Sequence, residues 1–288
     1  MKTKPLTPRT SRRTSFASVW WWVTGIVLSS LFLIPLVTML LSTFKSRTEL
    51  GRKPPTILPV DATLDNWQRL FDPDTGLIQS TMNSAVLSLG TVALTVVVSA
   101  LAGYGFGRFR FRGSGVLFFV VLAGLMVPFT VLLTPLLVVL RGMGLSNNLF
   151  GVMLVYTVYQ LPFCIFIMRN AFAGIPNEIE EAALMDGCTR VGVFRRIFIP
   201  LVVPGIVTSA IFAFLNSWNE FLAALVLLTD QEKFTLPIML AVRQVGRFGT
   251  VDWGLLDTGI VVSMIPCLLI FFLLQRYYVS GIFSGAAK

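Results

Sequence analysis

Ile175-Pro176-Asn177-Glu178-Ile179-Glu180-Glu181-Ala182-Ala183-Leu184-Met185-Asp186-Gly187-Cys188-Thr189-Arg190 opens a polar stretch that runs on to Pro204 in the middle of a very apolar chain. The stretch holds four of the 14 acidic residues, Glu178, Glu180, Glu181 and Asp186, together with Arg190, Arg195 and Arg196. It reads as two short helices. Pro176 lacks the amide hydrogen that a helix start leaves orphaned, and Asn177 caps well. Glu178, Glu180 and Glu181 then complement the positive end of the helix dipole. Gly187 suits the left-handed residue that closes a helix. A helix of about ten residues is too short to stand alone in water, so it must pack on something. Ala182 and Ala183 keep one side slim, while Glu178 and Glu181, three apart, share a face. A second helix starts near Thr189 and is expected to present Val191, Phe194, Ile197 and Phe198 to a membrane boundary. Arg195 and Arg196 can snorkel to headgroups there.

The surroundings place this stretch between membrane spans. The 288 residues are 55% hydrophobic and only 13% charged, against about 25% charged in a soluble domain. Working outward, the expected spans are 19–41, 82–107, 116–140, 149–168, 201–228 and 255–277, each near the roughly 20 apolar residues that cross a bilayer. The first is too long for a signal-peptide core of about 7–15 residues, and Trp20, Trp21 and Trp22 suit an interfacial anchor. Pro128, Pro135, Pro162 and Pro266 fall inside spans, where neighbouring helices can satisfy the freed carbonyls. The expected fold class is therefore an all-α integral membrane protein of six transmembrane helices. A basic tail occupies 1–18, an extracytoplasmic loop 42–81 with a short helix over Leu64–Phe71, a two-helix loop 169–200, and a tail 278–288.

Charge sets the orientation. Fourteen of the 23 lysines and arginines fall on the side of both termini and nine on the other, which puts the termini and the 175–204 stretch in the cytoplasm. The formal charge of +9 is then a topology signal with some attraction to anionic lipid, and nucleic-acid binding is disfavoured. Arg108, Arg110 and Arg112, alternating with aromatics, read as a positive-inside anchor. Gly103 and Gly107 read as a close helix contact.

Chemistry is scarce. With no histidine, the commonest general base and metal ligand are absent. Cys164, Cys188 and Cys267 are too far apart for a disulfide framework or zinc site. No phosphate-binding Gly-rich loop is present, so any ATP hydrolysis belongs to another subunit. Neither a catalytic nor a metal site is expected. Asn216, Asn219 and Glu220 share a helical face of the fifth span at i, i+3 and i+4. They either line a polar path or fix packing and gating, and intramembrane ionisable groups default to one or the other. Asp252, Trp253 and Asp257 sit near the outer mouth, either as an interfacial pair or as a contact for an outside partner. By pattern alone the 175–204 stretch is equally an ordinary solvated loop or a docking element.

Glu181-Ala182-Ala183, then Gly187, Ile197 and Pro200 at fixed offsets, resembles the EAA loop of ABC-importer permeases. Asn83-Ser84, Ala102 to Phe109, Met126-Val127-Pro128, Gly144-Leu145 and Ser217 to Phe221 resemble carbohydrate-importer permeases of the maltose type, in particular their second, shorter subunits. The end Gly285-Ala286-Ala287-Lys288 is similar to the family's C-terminal motif, with alanine in place of the usual valine. The resemblance implies a homologous permease subunit, a cytoplasmic ATPase dimer that binds ATP and Mg, an extracytoplasmic solute receptor and a carbohydrate substrate. It also implies ATPase-coupling roles for Glu178, Glu181, Ala182, Ala183, Asp186, Gly187, Ile197 and Pro200, and an ATPase contact at Gly285 and Lys288. The other class weighed, an ion-coupled secondary transporter, would show an internal repeat and buried coupling groups.

Overall fold

The computed structural model describes residues 16–244 and 251–286, with side chains at 20–244 and 251–275. Among them there is no β-strand. The helices are α1 (Phe16–Ser42), α2 (Arg47–Leu50), α3 (Asp65–Leu70), α4 (Leu77–Arg108), α5 (Ser114–Ala123), α6 (Phe129–Gly142), α7 (Leu149–Ala173), α8 (Asn177–Met185), α9 (Arg190–Val193), α10 (Ile199–Leu201), α11 (Val203–Asn219), α12 (Leu222–Leu227), α13 (Leu236–Arg243) and α14 (Trp253–Ala286).

Four of these, α1, α4, α7 and α14, are long and apolar enough to cross a membrane. Six spans result only if two bent pairs count as one span each. The third expected span is not one helix. A 3₁₀ turn at Gly124–Met126 follows α5, Val127 and Pro128 are extended, and the chain resumes as α6 at 103°. Proline fixes φ and biases its predecessor away from the helical region, so Pro128 breaks the helix, whereas Pro135 and Pro162 are carried inside α6 and α7. The fifth expected span breaks as well. Glu220 is extended, so α11 ends at Asn219 and α12 starts anew at Leu222. At its other end α11 turns 71° from the Arg190–Leu201 segment. Helices α4 and α7 overrun their expected limits, α4 starting at Leu77 and α7 continuing to Ala173.

The centre is the pair α4 and α7, with α11 against both. Its closeness follows from the sequence of α4. Ser80, Ser84, Ser88, Thr91, Thr95, Ser99 and Gly103 recur at three- and four-residue spacing and are all buried. In a membrane, small residues let backbones approach where apolarity alone gives no preference. Ser88 and Thr91 return their hydroxyls to the carbonyls of Ser84 and Leu87, so burying them leaves no donor stranded. At Gly103 the approach is extreme: a Cβ there would lie 2.4 Å from the Met168 Cβ and 2.8 Å from the Arg169 nitrogen.

Three clusters fill the space around this pair. One gathers Leu87, Tyr156, Leu227 and Ile238 between α4, α6, α7, α12 and α13. A second centres on Trp218 and Leu236, and the Trp218 indole donates to the Ser263 carbonyl at 3.1 Å, joining α11 to α14. The third holds Met168, Phe172, Phe198 and Val202 beneath α8. By contrast, α1 touches α14 but buries none of its apolar window against the rest of the chain.

Candidate functional site

Helix α8 is the short element the sequence singled out. Its start differs from expectation. Pro176 occupies the cap position without a side-chain hydrogen bond, and Asn177 is already helical. The ring presets the turn into the helix, so the asparagine sits one place too late to cap. At the other end Gly187 adopts φ +83°. The Cys188 amide donates to the Ala183 carbonyl at 3.0 Å and the Gly187 amide to the Leu184 carbonyl at 3.1 Å. This is the paired closure in which a left-handed residue satisfies the last carbonyls. A Cβ at Gly187 would meet nothing within 4 Å, so glycine is required for its backbone angle and not for space.

The second short helix begins at Thr189, whose Oγ1 accepts the Gly192 amide at 3.1 Å. Wider i→i+5 spacing over Phe194–Phe198 then rotates Phe198 inward. Phe198 is fully buried, with Tyr104 and Phe172 around it. It does not face a membrane boundary. Val191, Arg195 and Arg196, with Thr189, Arg190 and Pro200, are the exposed side chains of this arm.

The predicted coupling residues separate by face. Glu178, Glu181, Ala182, Asp186, Gly187 and Pro200 are exposed, Ala183 is buried and Ile197 is half-buried. The α8 acid that turns inward is Glu180, which the sequence reading did not select. Its Oε2 accepts from Arg108 Nη2 at 2.7 Å and Nε at 3.1 Å. Nη1 of the same guanidinium donates to the Ile175 carbonyl at 2.8 Å, and its Cζ lies 4.7 Å from the Phe198 ring centroid. The Arg108 side chain is 4% exposed. A headgroup anchor would be solvated, so for Arg108 that expectation is corrected, while Arg110 and Arg112 are exposed. Arg108 is the last residue of α4, whereas Arg110 and Arg112 follow its end, two and four residues on.

The polar trio of α11 also divides. Asn216 and Asn219 are exposed and return their amides to the carbonyls of Phe212 and Leu215, each at 2.8 Å. Glu220 leaves their face at the helix break. Its Oε1 accepts the Ala223 amide at 2.9 Å, its Oε2 the Ala224 amide at 3.1 Å, and the Tyr156 hydroxyl also donates to it. A carboxylate on the first amides of a helix satisfies its orphan donors and its dipole. Glu220 is thus a cap. Asn219, with Gln244, Ser263 and Cys267, lines a cleft of about 450 Å³ that includes neither Asn216 nor Glu220.

At the far end of α4, polar side chains hold the connecting segments. Asn66 donates to the carbonyls of Thr43 and Lys45, and Asn83 to those of Glu232 and Phe234. Ser84 accepts the Leu236 amide at 2.8 Å. Asp252 pairs with Arg69 and, at 2.6 Å, with Arg47, so it is the interfacial pair of the two readings. Burial pushes the Asp252 carboxyl up, but the hydrogen bonds from Arg69 and the Leu255 amide and the charges of Arg69 and Arg47 outweigh it. They hold it below its ordinary value. Of the two residues expected at an ATPase contact, Gly285 falls in the last turn of α14 and Lys288 lies outside the described residues.

Residues 95–284 match the family described as "Binding-protein-dependent transport system inner membrane component". The chain belongs to this family. Among its relatives, the arabinooligosaccharides transport system permease protein AraQ of Bacillus subtilis is 36% identical over 265 residues, covering 91% of this chain and 93% of that protein. The sulfoquinovosyl glycerol transport system permease protein SmoH of Agrobacterium fabrum is 34% identical over 256 residues, 89% of each. The fold is that of a subunit in the crystal structure of a bacterial ABC transporter involved in the import of the acidic polysaccharide alginate. The TM-score is 0.78 with 23% identity, over 96% of this chain and 100% of that one. The protein is an ABC-importer permease, a multi-pass membrane protein, and the ion-coupled carrier reading is set aside.

Proposed function

We propose that this permease forms half of the translocation path of an ATP-driven importer of carbohydrates and is driven through α8 by a separate ATPase. The observation that carries the proposal is the two-faced build of α8. A row of exposed acids, Glu178, Glu181 and Asp186, stands on a helix whose opposite side is fastened to the α4–α7 core. A short helix that presents Ala182 between free carboxylates fits a cleft lined by arginine, and charge-assisted bonds there would be directional. In this reading Glu181 pairs with an ATPase arginine, Gly187 sets the angle between the two arms, and both termini and α8 are cytoplasmic. The C-terminal residues Gly285 and Lys288 reach the same ATPase dimer, which binds ATP and Mg.

Closure of the ATPase on ATP would tilt the core, and an extracytoplasmic receptor would deliver solute to the open side by alternating access. The carbohydrate class rests on the relatives, named for arabino-oligosaccharide and sulfoquinovosyl glycerol transport. Their shared chemistry is a polyhydroxylated ring, and the exposed amides of Asn216 and Asn219 are suited to line its path. The test is Glu181→Lys and Gly187→Pro in the co-expressed complex. Both should insert into the membrane yet lose uptake and ATPase co-purification; retained co-purification in both would refute the docking role.

A further inference from the structure

One guanidinium touches both flanks of α8. Arg108, the last residue of α4, holds Glu180 on α8 itself, the Ile175 carbonyl in the turn before it, and the Phe198 ring in the arm after it. Helix α8 has only nine residues, and the one residue it buries is Ala183, a methyl group that gives closeness without direction. Direction has to come from the charged bond. The planar guanidinium fork fixes both the angle and the register of what it grips. A buried ion pair is a poor stabiliser relative to an apolar pair of the same size, and its attested use is to specify register.

We infer that the Arg108–Glu180 pair is a positioning link that makes α8 and α4 move as one rigid body, so that displacement of α8 reaches the opposite end of α4. The inference rests on the reading of α8 as the ATPase-facing element. Helix α4 has 32 residues, or about 48 Å at 1.5 Å per residue, and it packs along α7 and α11. A lever attached at Arg108 therefore acts on the densest part of the core. Without the link, Ala183 and the closure at Gly187 keep α8 folded but leave it free to swivel.

The experiment measures a distance across this joint in the full complex, purified with its ATPase and second permease. Spin labels are introduced as non-natural amino acids at Met185 on α8 and Ile78 at the start of α4, both strongly exposed. Spectra are compared without nucleotide and with ATP plus vanadate. In the native complex the distance should be unchanged to within about 1 Å, the scale of a rigid body. With Arg108→Gln it should become nucleotide-dependent or broaden by several times that, on the order of 5 Å, one helical turn.

An Arg108→Gln complex that stays as invariant as native overturns the link, as does a native distance that already changes with nucleotide. Arg108→Lys keeps the charge but loses the fork, and it decides by the same criterion if the glutamine variant does not assemble. Failure of both to assemble would make the pair a folding element and overturn the inference. The Glu181→Lys complex separates the two readings. Retained ATPase co-purification there and in Gly187→Pro refutes the docking role, while the Met185–Ile78 distance still judges the link.

Discussion

Both ends of α4 are tied to short helices by polar side chains, but the ties differ in kind. At the Arg108 end one buried guanidinium grips a carboxylate, a carbonyl and a ring. At the Leu77 end the grip is neutral and shared: Asn83 reaches the carbonyls of Glu232 and Phe234, and Ser84 accepts the Leu236 amide. The ion pairs around Asp252 lie further out, with Arg47 62% exposed. Exposed pairs contribute little, while an amide that satisfies two carbonyls leaves an expensive gap when removed. One end is therefore directional and concentrated in a single charged clamp, and the other is distributed over several separate bonds.

The comparison can be broken from the middle outward. Gly103→Val should have the largest effect, because the obstruction is backbone as well as side chain. It should cost about 3 kcal/mol, the upper end of overpacking, and abolish the monodisperse peak in size-exclusion chromatography. Glu180→Gln keeps a neutral acceptor for Arg108 but leaves its buried charge uncompensated and should cost nearly as much, about 3 kcal/mol, read as a lower Tm in detergent. Asn83→Leu strands the Glu232 and Phe234 carbonyls and should cost about 2 kcal/mol by the same measurement. Salt at about 1 M should leave both losses unchanged, since buried bonds are screened little; a Glu180→Gln loss that disappears in salt would make that end a solvated tie and break the comparison.

The smallest effect belongs to Asp252. Its depressed pKa means that the folded state binds fewer protons than the unfolded one, so its stability is complete above the ordinary value of 3.8 and fades as pH falls through the folded value. Asp252→Asn should lower Tm slightly at pH 6 and flatten the Tm slope between about pH 4 and pH 3. An unchanged slope would remove Asp252 from the tie.

Some features depend only on their immediate neighbours in the chain. The stop at Gly187 and the start at Thr189 depend on a few neighbouring residues, as does the short helix that the structure places at Asp65–Leu70. Pro128 and Pro135 looked alike in sequence, yet one breaks its helix and the other does not. Proline forbids one hydrogen bond; what packs on the far side decides whether the helix resumes in line. Glu220 was read on the face of its own helix because its cap partners lie ahead in α12 and its third partner, Tyr156, lies 64 residues away.

Sequence alone determined that this is a multi-span helical protein with a capped polar helix between two apolar stretches. Apolar length, helix-ending glycine and charge bias act over short range, so they are written where they act. Only the tertiary structure decided which of three clustered glutamates turns inward and that Arg108 is a clamp rather than an anchor. A buried charge is defined by what surrounds it, and the chain brings Arg108, Ile175, Glu180 and Phe198 together from four separate segments.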